Sequence, residues 1–186
     1  MEPVLKPRQG QRGAVLLVML SLFLVILPLA LLAIYARTLQ NDTFSSSYLW
    51  RAQARDAANQ AMAALRGSIA QSIGTDGLLE YQSSPPAWYV ANAGNVQPAS
   101  AAFWSGCASG KLCQSGSVTL ANGSGRTSFR ILQVVTPTGV IDDTLCNPGY
   151  VAVFYNVWVQ ATASANPAAG SATTQAVYRA CILQDS

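Results

Sequence analysis

The hydrophobic pattern divides the chain into a continuous apolar block, an apolar stripe and a region of alternation. Ala14 to Ile34 is a run of twenty-one residues with no charge, in which Ser21 is the one hydroxyl. At about 1.5 Å per residue such a helix is about 30 Å long, the thickness of a bilayer's hydrocarbon core. Pro28 lies inside the run. In water it would break a helix, whereas a lipid-embedded helix tolerates it, with a kink where the bond to the residue four back is lost. Past the run, Phe44, Tyr48, Ala52, Arg55, Ala58, Met62, Leu65, Ile69 and Ile73 recur at spacings of three and four. That is one stripe of an amphipathic helix, with Arg55 interrupting its apolar character. Asn41, Arg51, Gln53, Asp56, Asn59 and Gln60 fall largely on other faces. No proline occurs between Pro28 and Pro85, and Gly74 is a suitable C-terminal cap. The pattern predicts one helix from Ala14 to Ile73, about 90 Å long, with bends at Pro28 and near Ser45-Ser46-Ser47. Residues 14–35 form its membrane-spanning part and residues 36–74 its amphipathic continuation.

From residue 75 to 186 the pattern shortens to a period of two. Pro85, Pro86, Pro98, Pro137, Pro148 and Pro167, with many glycines, mark short strands joined by loops. Thr127 to Val135 is rich in β-branched residues. Tyr150 to Ala161 alternates, with Val151, Val153, Tyr155, Val157, Val159 and Ala161 on one side, and Ala172 to Leu183 groups Ala172, Ala176, Tyr178, Ala180 and Ile182. Val118 to Ala121 followed by Asn122-Gly123-Ser124-Gly125 reads as a further strand and a hairpin loop. A long helix followed by an antiparallel sheet is an α+β fold, in which the helical stripe covers one sheet face.

Charge places the helix. Lys6, Arg8 and Arg12 precede the apolar run against a lone Glu2, which orients the N-terminus to the cytoplasm and the rest to the extracytoplasmic side, where disulfides persist. The run is longer than the roughly 7–15 residues of a signal-peptide core and passes into Tyr35-Ala36-Arg37 without a turn, so it reads as retained. Charged residues are 10% of the chain, against about 25% in soluble domains, which points to a membrane or a densely packed assembly. A net charge of +3, widely scattered, does not suggest nucleic-acid binding.

The chain has no histidine, which removes Ser-His-Asp and Cys-His nucleophile systems, His-liganded zinc and an imidazole base. The four cysteines contain no C-x-x-C pair and fit two structural disulfides. Of the three pairings, the short Gly-containing loop between Cys107 and Cys113 favours closing that pair locally and joining Cys146 to Cys181; free buried thiols are the contrary reading. The one acidic pair, Asp142-Asp143, reads as a solvated turn more readily than as a calcium site, which wants six to eight oxygens. Asn122-Gly123-Ser124-Gly125 and Ser109-Gly110-Lys111 lack the spacing of a phosphate loop. Trp88, Tyr89, Phe103, Trp104 and Trp158 are core or subunit-contact residues before they are ligand platforms, and Arg51, Arg55 and Arg66 are solvated or paired on the helix. No catalytic constellation and no cofactor or metal set emerges.

The segment Gln11-Arg12-Gly13-Ala14-Val15-Leu16-Leu17-Val18, the apolar helix behind it and Arg51-Ala52-Gln53-Ala54-Arg55-Asp56-Ala57-Ala58-Asn59-Gln60-Ala61 resemble the N-terminal region of type IV pilin-like proteins, closest to the PilX-type minor pilins and minor pseudopilins. The resemblance covers roughly residues 8 to 70. It implies a leader over 1–13, cut by prepilin peptidase between Gly13 and Ala14, with methylation of the new N-terminus. It also implies a pilin-like fold, and a Cys146–Cys181 bridge would resemble the disulfide loop of many pilins. The implied setting is the bacterial inner membrane and then a filament, with other minor and major pilins as partners through the N-terminal helix. The fifth mature position in that family is usually Glu, thought to neutralise a neighbouring subunit's N-terminal amine; here it is Val18. That departure argues against a major pilin. It fits a minor subunit of a type IV pilus or a type II secretion pseudopilus that helps initiate or cap assembly. The alternative is an uncleaved single-span envelope protein with an extracytoplasmic binding domain.

Overall fold

A computed structural model describes residues 11–122, 125–165, 167 and 170–183, with side chains at all of these but 11–14, 42–43 and 122. The first ten residues of the expected leader, and Gly123 and Ser124 of the expected hairpin loop, lie outside the described residues. The chain forms two compact units, residues 1–46 and residues 47–186. Helix α1, Gln11–Asp76, supplies residues to both. The second unit contains the sheet: β1 (Gln114–Asn122), β2 (Gly125–Asp142), β3 (Tyr150–Ala163) and β4 (Ser171–Leu183), antiparallel throughout and in the order β1-β2-β3-β4. A long N-terminal helix packed on a four-stranded antiparallel sheet is an α+β arrangement.

The helix passes the expected stop at Gly74 and ends two residues later. Gly77, at φ +78°, takes the left-handed conformation that closes a helix, and its N–H donates to the Ile73 carbonyl at 3.1 Å. Gln82 completes the cap: its Nε2 donates to the carbonyls of Ser72 (3.3 Å) and Gly77 (2.8 Å), and its Oε1 accepts from the Ser72 hydroxyl (3.2 Å). This side chain, returning from beyond the helix, braces the final turn against the chain that leaves it.

The stripe that docks on the sheet matches the expected one from Ala58 through Met62, Leu65 and Ile69 to Ile73 and departs from it nearer the N-terminus. Tyr48 is 74% exposed and Arg55 is exposed; the buried row is Ala54, Ala57, Ala58, Ala61, Met62, Leu65 and Ile69, flanked by Trp50 and Ile73. The four alanines of this row share one core with Ala161, Ala163, Ala172 and Ala176 of the sheet, and Leu65, Ile69, Tyr155 and Val153 add larger side chains to it. Trp50 packs against Phe129 at 6.5 Å, the stem of Arg51 lies where a side chain on Gly170 would clash (2.9 Å, at φ +134°), and Asn59 Oδ1 accepts from the Thr174 hydroxyl at 3.3 Å. At the far end Tyr155 donates its phenol to Glu80 Oε2 at 2.8 Å. Burial, and then the Glu80 carboxylate, push the Tyr155 phenol well above its ordinary range.

The strands follow the expected alternation, with inward residues at 153, 155, 157, 159, 161 and 163 on β3. β2 is much longer than the expected 127–135. It passes Pro137 through a register shift between Pro137 and Ile141, where the missing proline N–H costs no ladder bond and Thr138 substitutes by donating its hydroxyl to the Phe154 carbonyl at 2.9 Å. Beyond Gln133, where pairing with β1 ends, segment 88–90 takes the edge of β2 in parallel register, with Val90 N–H donating to Val135 O (2.9 Å) and Val135 N–H to Trp88 O (2.7 Å). The outer sheet face is not bare either. Helix α2, Ala101–Gly106, packs Trp104 over Leu132 and Val134.

Two substitutions test this packing in opposite directions. Leu65, 2% exposed, truncated in Leu65→Ala is expected to lose about 2–5 kcal/mol of stability. Thr136 is fully buried and its hydroxyl has no partner among the described residues, so Thr136→Val is expected to be neutral or to gain about 1 kcal/mol. Denaturant unfolding of the full chain followed by tryptophan fluorescence reads both; a destabilised Thr136→Val would show that the hydroxyl has a partner.

Candidate functional site

In the first unit the chemically distinctive surface is the helix itself. Every large apolar side chain from Val15 to Tyr35 is 53–70% exposed, and the helix contains an eighteen-residue window of mean hydropathy 3.1. The segment is long and apolar enough to cross a membrane. Its polar atoms turn inward: Ser21 donates to the Val18 carbonyl at 2.8 Å and, further on, Thr38 to the Ile34 carbonyl at 2.9 Å, so neither hydroxyl asks for water. Pro28 lies within the continuous helix and leaves the Leu24 carbonyl without its helical donor. Met19, Leu22, Phe23 and Ile26 surround a wholly apolar hollow on one face, the i, i+3, i+4, i+7 spacing that receives a ridge from another helix. Val18 directly precedes Met19 and is 58% exposed. Gly13 and Ala14 lie within the first turn of α1, with side chains outside the described set.

In the second unit the structure joins Cys107 to Cys113 and Cys146 to Cys181, with Cα–Cα distances of 5.3 and 5.9 Å. The two bridges have different surroundings. Cys107 and Cys113 are 1% and 5% exposed, within the cluster formed by Trp104, Leu132 and Val134. Cys181 faces outward from β4 and Cys146 is half-buried. The second bridge ties the loop after β2 to the last strand across 35 residues, and Arg179 reinforces it by donating to the Leu145 carbonyl at 3.1 Å.

The remaining residues singled out from the sequence take structural places. Asp142 Oδ1 accepts from the Thr144 hydroxyl (2.6 Å) and N–H (2.7 Å). These bonds, the hydroxyl first, hold its carboxyl below the ordinary carboxylate range. The carboxylate thereby closes a turn, and among the described residues no three His, Cys, Asp or Glu side chains gather as a metal set. Trp88, Tyr89 and Trp104 are buried, and Phe103 and Trp158 are half-buried against the outer cluster. Trp104 donates Nε1–H to the Pro98 carbonyl at 2.8 Å. Arg51, Arg55 and Arg66 are exposed on α1. The sequence reading missed the outer layer built on α2 and the strand-like segment 88–90 at the edge of β2. A usable signal was present: Ile131-Leu132-Gln133-Val134-Val135 is apolar on both faces, as a strand covered on both sides must be.

Burial predicts an order of reduction. Graded phosphine treatment of the folded full chain, with alkylation and peptide mass spectrometry, should label Cys146 and Cys181 first. Cys107 and Cys113 should be labelled only under unfolding conditions. Equal labelling of the four would show that the outer layer does not shield its bridge.

No protein-family model, no curated protein and no solved structure matches this chain.

Proposed function

We propose that this chain is a minor structural subunit of a type IV pilus or of the related type II secretion pseudopilus, helping to initiate or cap filament assembly. The observation that carries the reading is α1: an apolar surface exposed on all sides over 15–35 and, in the same helix, an alanine-rich row docked on a disulfide-bridged sheet. The first part needs lipid or other helices as its solvent, and the second gives a β-rich unit a helical handle. The basic leader and the Arg12-Gly13-Ala14 junction supply a processing point for prepilin peptidase, after which Ala14 carries the methylated amine. The N-terminus is cytoplasmic before cleavage, the apolar helix sits in the inner membrane, and the bridged unit is extracytoplasmic.

Assembly then transfers the helix from lipid to a bundle of like helices. A partner's ridge fills the hollow between Met19, Leu22, Phe23 and Ile26. In this setting a buried ammonium without a counter-charge is expensive. Val18 offers none to the amine of the chain ahead, so the position where its absence costs nothing is first in the filament, among other minor subunits. Ala14's own amine can still be met by a Glu-bearing subunit that follows.

Intact-mass measurement of the membrane-extracted protein tests the processing. The expected species lacks residues 1–13 and carries one extra methyl group; a full-length N-terminus would sink the reading and leave an uncleaved single-span envelope protein. Quantitative mass spectrometry of sheared filaments checks the position, with low copy number expected and stoichiometry near that of the major subunit contradicting it.

A further inference from the structure

On the sheet face turned away from α1, a cleft of about 520 Å³ opens between α2 and the end of the sheet near the β3–β4 connection. That is within the range of small-molecule sites, roughly 300–1,000 Å³. Its floor is a row across three strands. Arg130 on β2 stands opposite Thr162 on β3, and Thr162 opposite Ser171 on β4; Gln160 lies one inter-residue step of the same face further along. Trp104 and Leu132 supply the apolar wall. Strand register fixes where these polar groups start, and the long side chains of Arg130 and Gln160 order when they meet a ligand.

Three features of the lining select the ligand. Arg130 is its one charged residue, and no described acidic residue shares the cleft. Among the described residues, the side chains of Arg130, Gln160, Thr162 and Ser171 make no hydrogen bond or ion pair, so a guanidinium, a carboxamide and two hydroxyls remain open to a ligand. Ser105, on the α2 side, donates its hydroxyl to the Ala102 carbonyl (2.9 Å) and offers lone pairs alone. A single planar guanidinium neutralises one charge and matches the two oxygens of a carboxylate. Amide and hydroxyl groups pair with hydroxyls in both directions, and only the edges of the buried Trp104 and Leu132 reach the cleft.

We propose that this cleft binds a carboxylate-bearing saccharide, with Arg130 on the carboxylate and Gln160, Thr162 and Ser171 on ring hydroxyls. The site is confined to the second unit and does not depend on how the chain assembles, so it stands or falls apart from the filament reading.

The test is calorimetric titration of the full chain, in a sugar-free neutral detergent, with a trimer of galacturonic acid, with its methyl ester and with inorganic phosphate. The acid is expected to bind saturably, and the ester, which keeps the hydroxyls and loses the charge, to bind at least about tenfold more weakly. Arg130→Gln, at an exposed position, should weaken the acid by at least about tenfold and leave the ester unchanged. Thr162→Val should weaken both. Absence of saturable binding, equal binding of acid and ester, or an Arg130→Gln variant that binds the acid normally would overturn the proposal. Displacement of the trimer by phosphate at equal concentration would also overturn it, since the site would then recognise an anion and not a sugar.

Discussion

Water is the wrong solvent for the first part of α1, and that mismatch constrains the rest of the molecule. Between Val15 and Tyr35 the side chains are almost all large and apolar, and each is more than half exposed. At about 25 cal/mol per Å² of apolar surface, leaving that helix in water costs on the order of tens of kcal/mol. No feature of a domain this size supplies as much, because net folding stabilities are about 5–15 kcal/mol. The segment therefore demands an apolar surrounding, and a helix, whose interior backbone groups here are paired along its own axis except at the Leu24 carbonyl opposite Pro28, is the form that can enter one. Ser21 and Thr38 conform by turning their hydroxyls to backbone carbonyls within the same helix.

The second unit solves a different packing problem with the remainder of that helix. Along the helix the buried side chains run from the alanines at 54, 57, 58 and 61 to Met62, Leu65 and Ile69, and a close-packed interior registers a single added methylene. The polar contacts lie where the layer meets solvent: Asn59 with Thr174, and Tyr155 with Glu80. The Gln82 cap and the bulge at Pro137 then fix where the helix ends and how far β2 continues beyond it. The outer layer, with Trp104 and the Cys107–Cys113 bridge, protects the apolar residues that β2 presents on its second face.

Periodicity made the helix, the strands and the fold class legible, since 3.6 and 2 are properties of the chain that tertiary structure rarely overrides. Its phase along the helix was less legible. Phe44, Tyr48 and Arg55 form as regular a row as Ala54, Ala57 and Ala61, and hydropathy alone favours the large residues. The structure buries the alanines there, and from Ala58 onward the predicted stripe and the buried row coincide. The stop was missed for a local reason: Gly74 and Gly77 are both plausible caps, and Gln82, from beyond the helix, favours the second. Long-range assembly hid the outer cleft, because Arg130, Thr162 and Ser171 are distant in sequence and meet through strand register alone. Gly13 and Ala14, the proposed processing point, were singled out by the resemblance of the local sequence alone.

The account's central claim is that one helix serves two solvents, lipid or helix bundle over 15–35 and water with a sheet beneath it beyond residue 47. Cysteine scanning along α1 in intact membranes, with the native bridges closed and a membrane-impermeant maleimide added from outside, tests it most directly. Positions 15–35 are predicted to stay unlabelled on every face, while Tyr48, Arg55, Gln60 and Arg66 label readily and Ala58 and Leu65 do not. Labelling within 15–35 at every third or fourth residue would mean that one face of that segment meets water, and would contradict the claim.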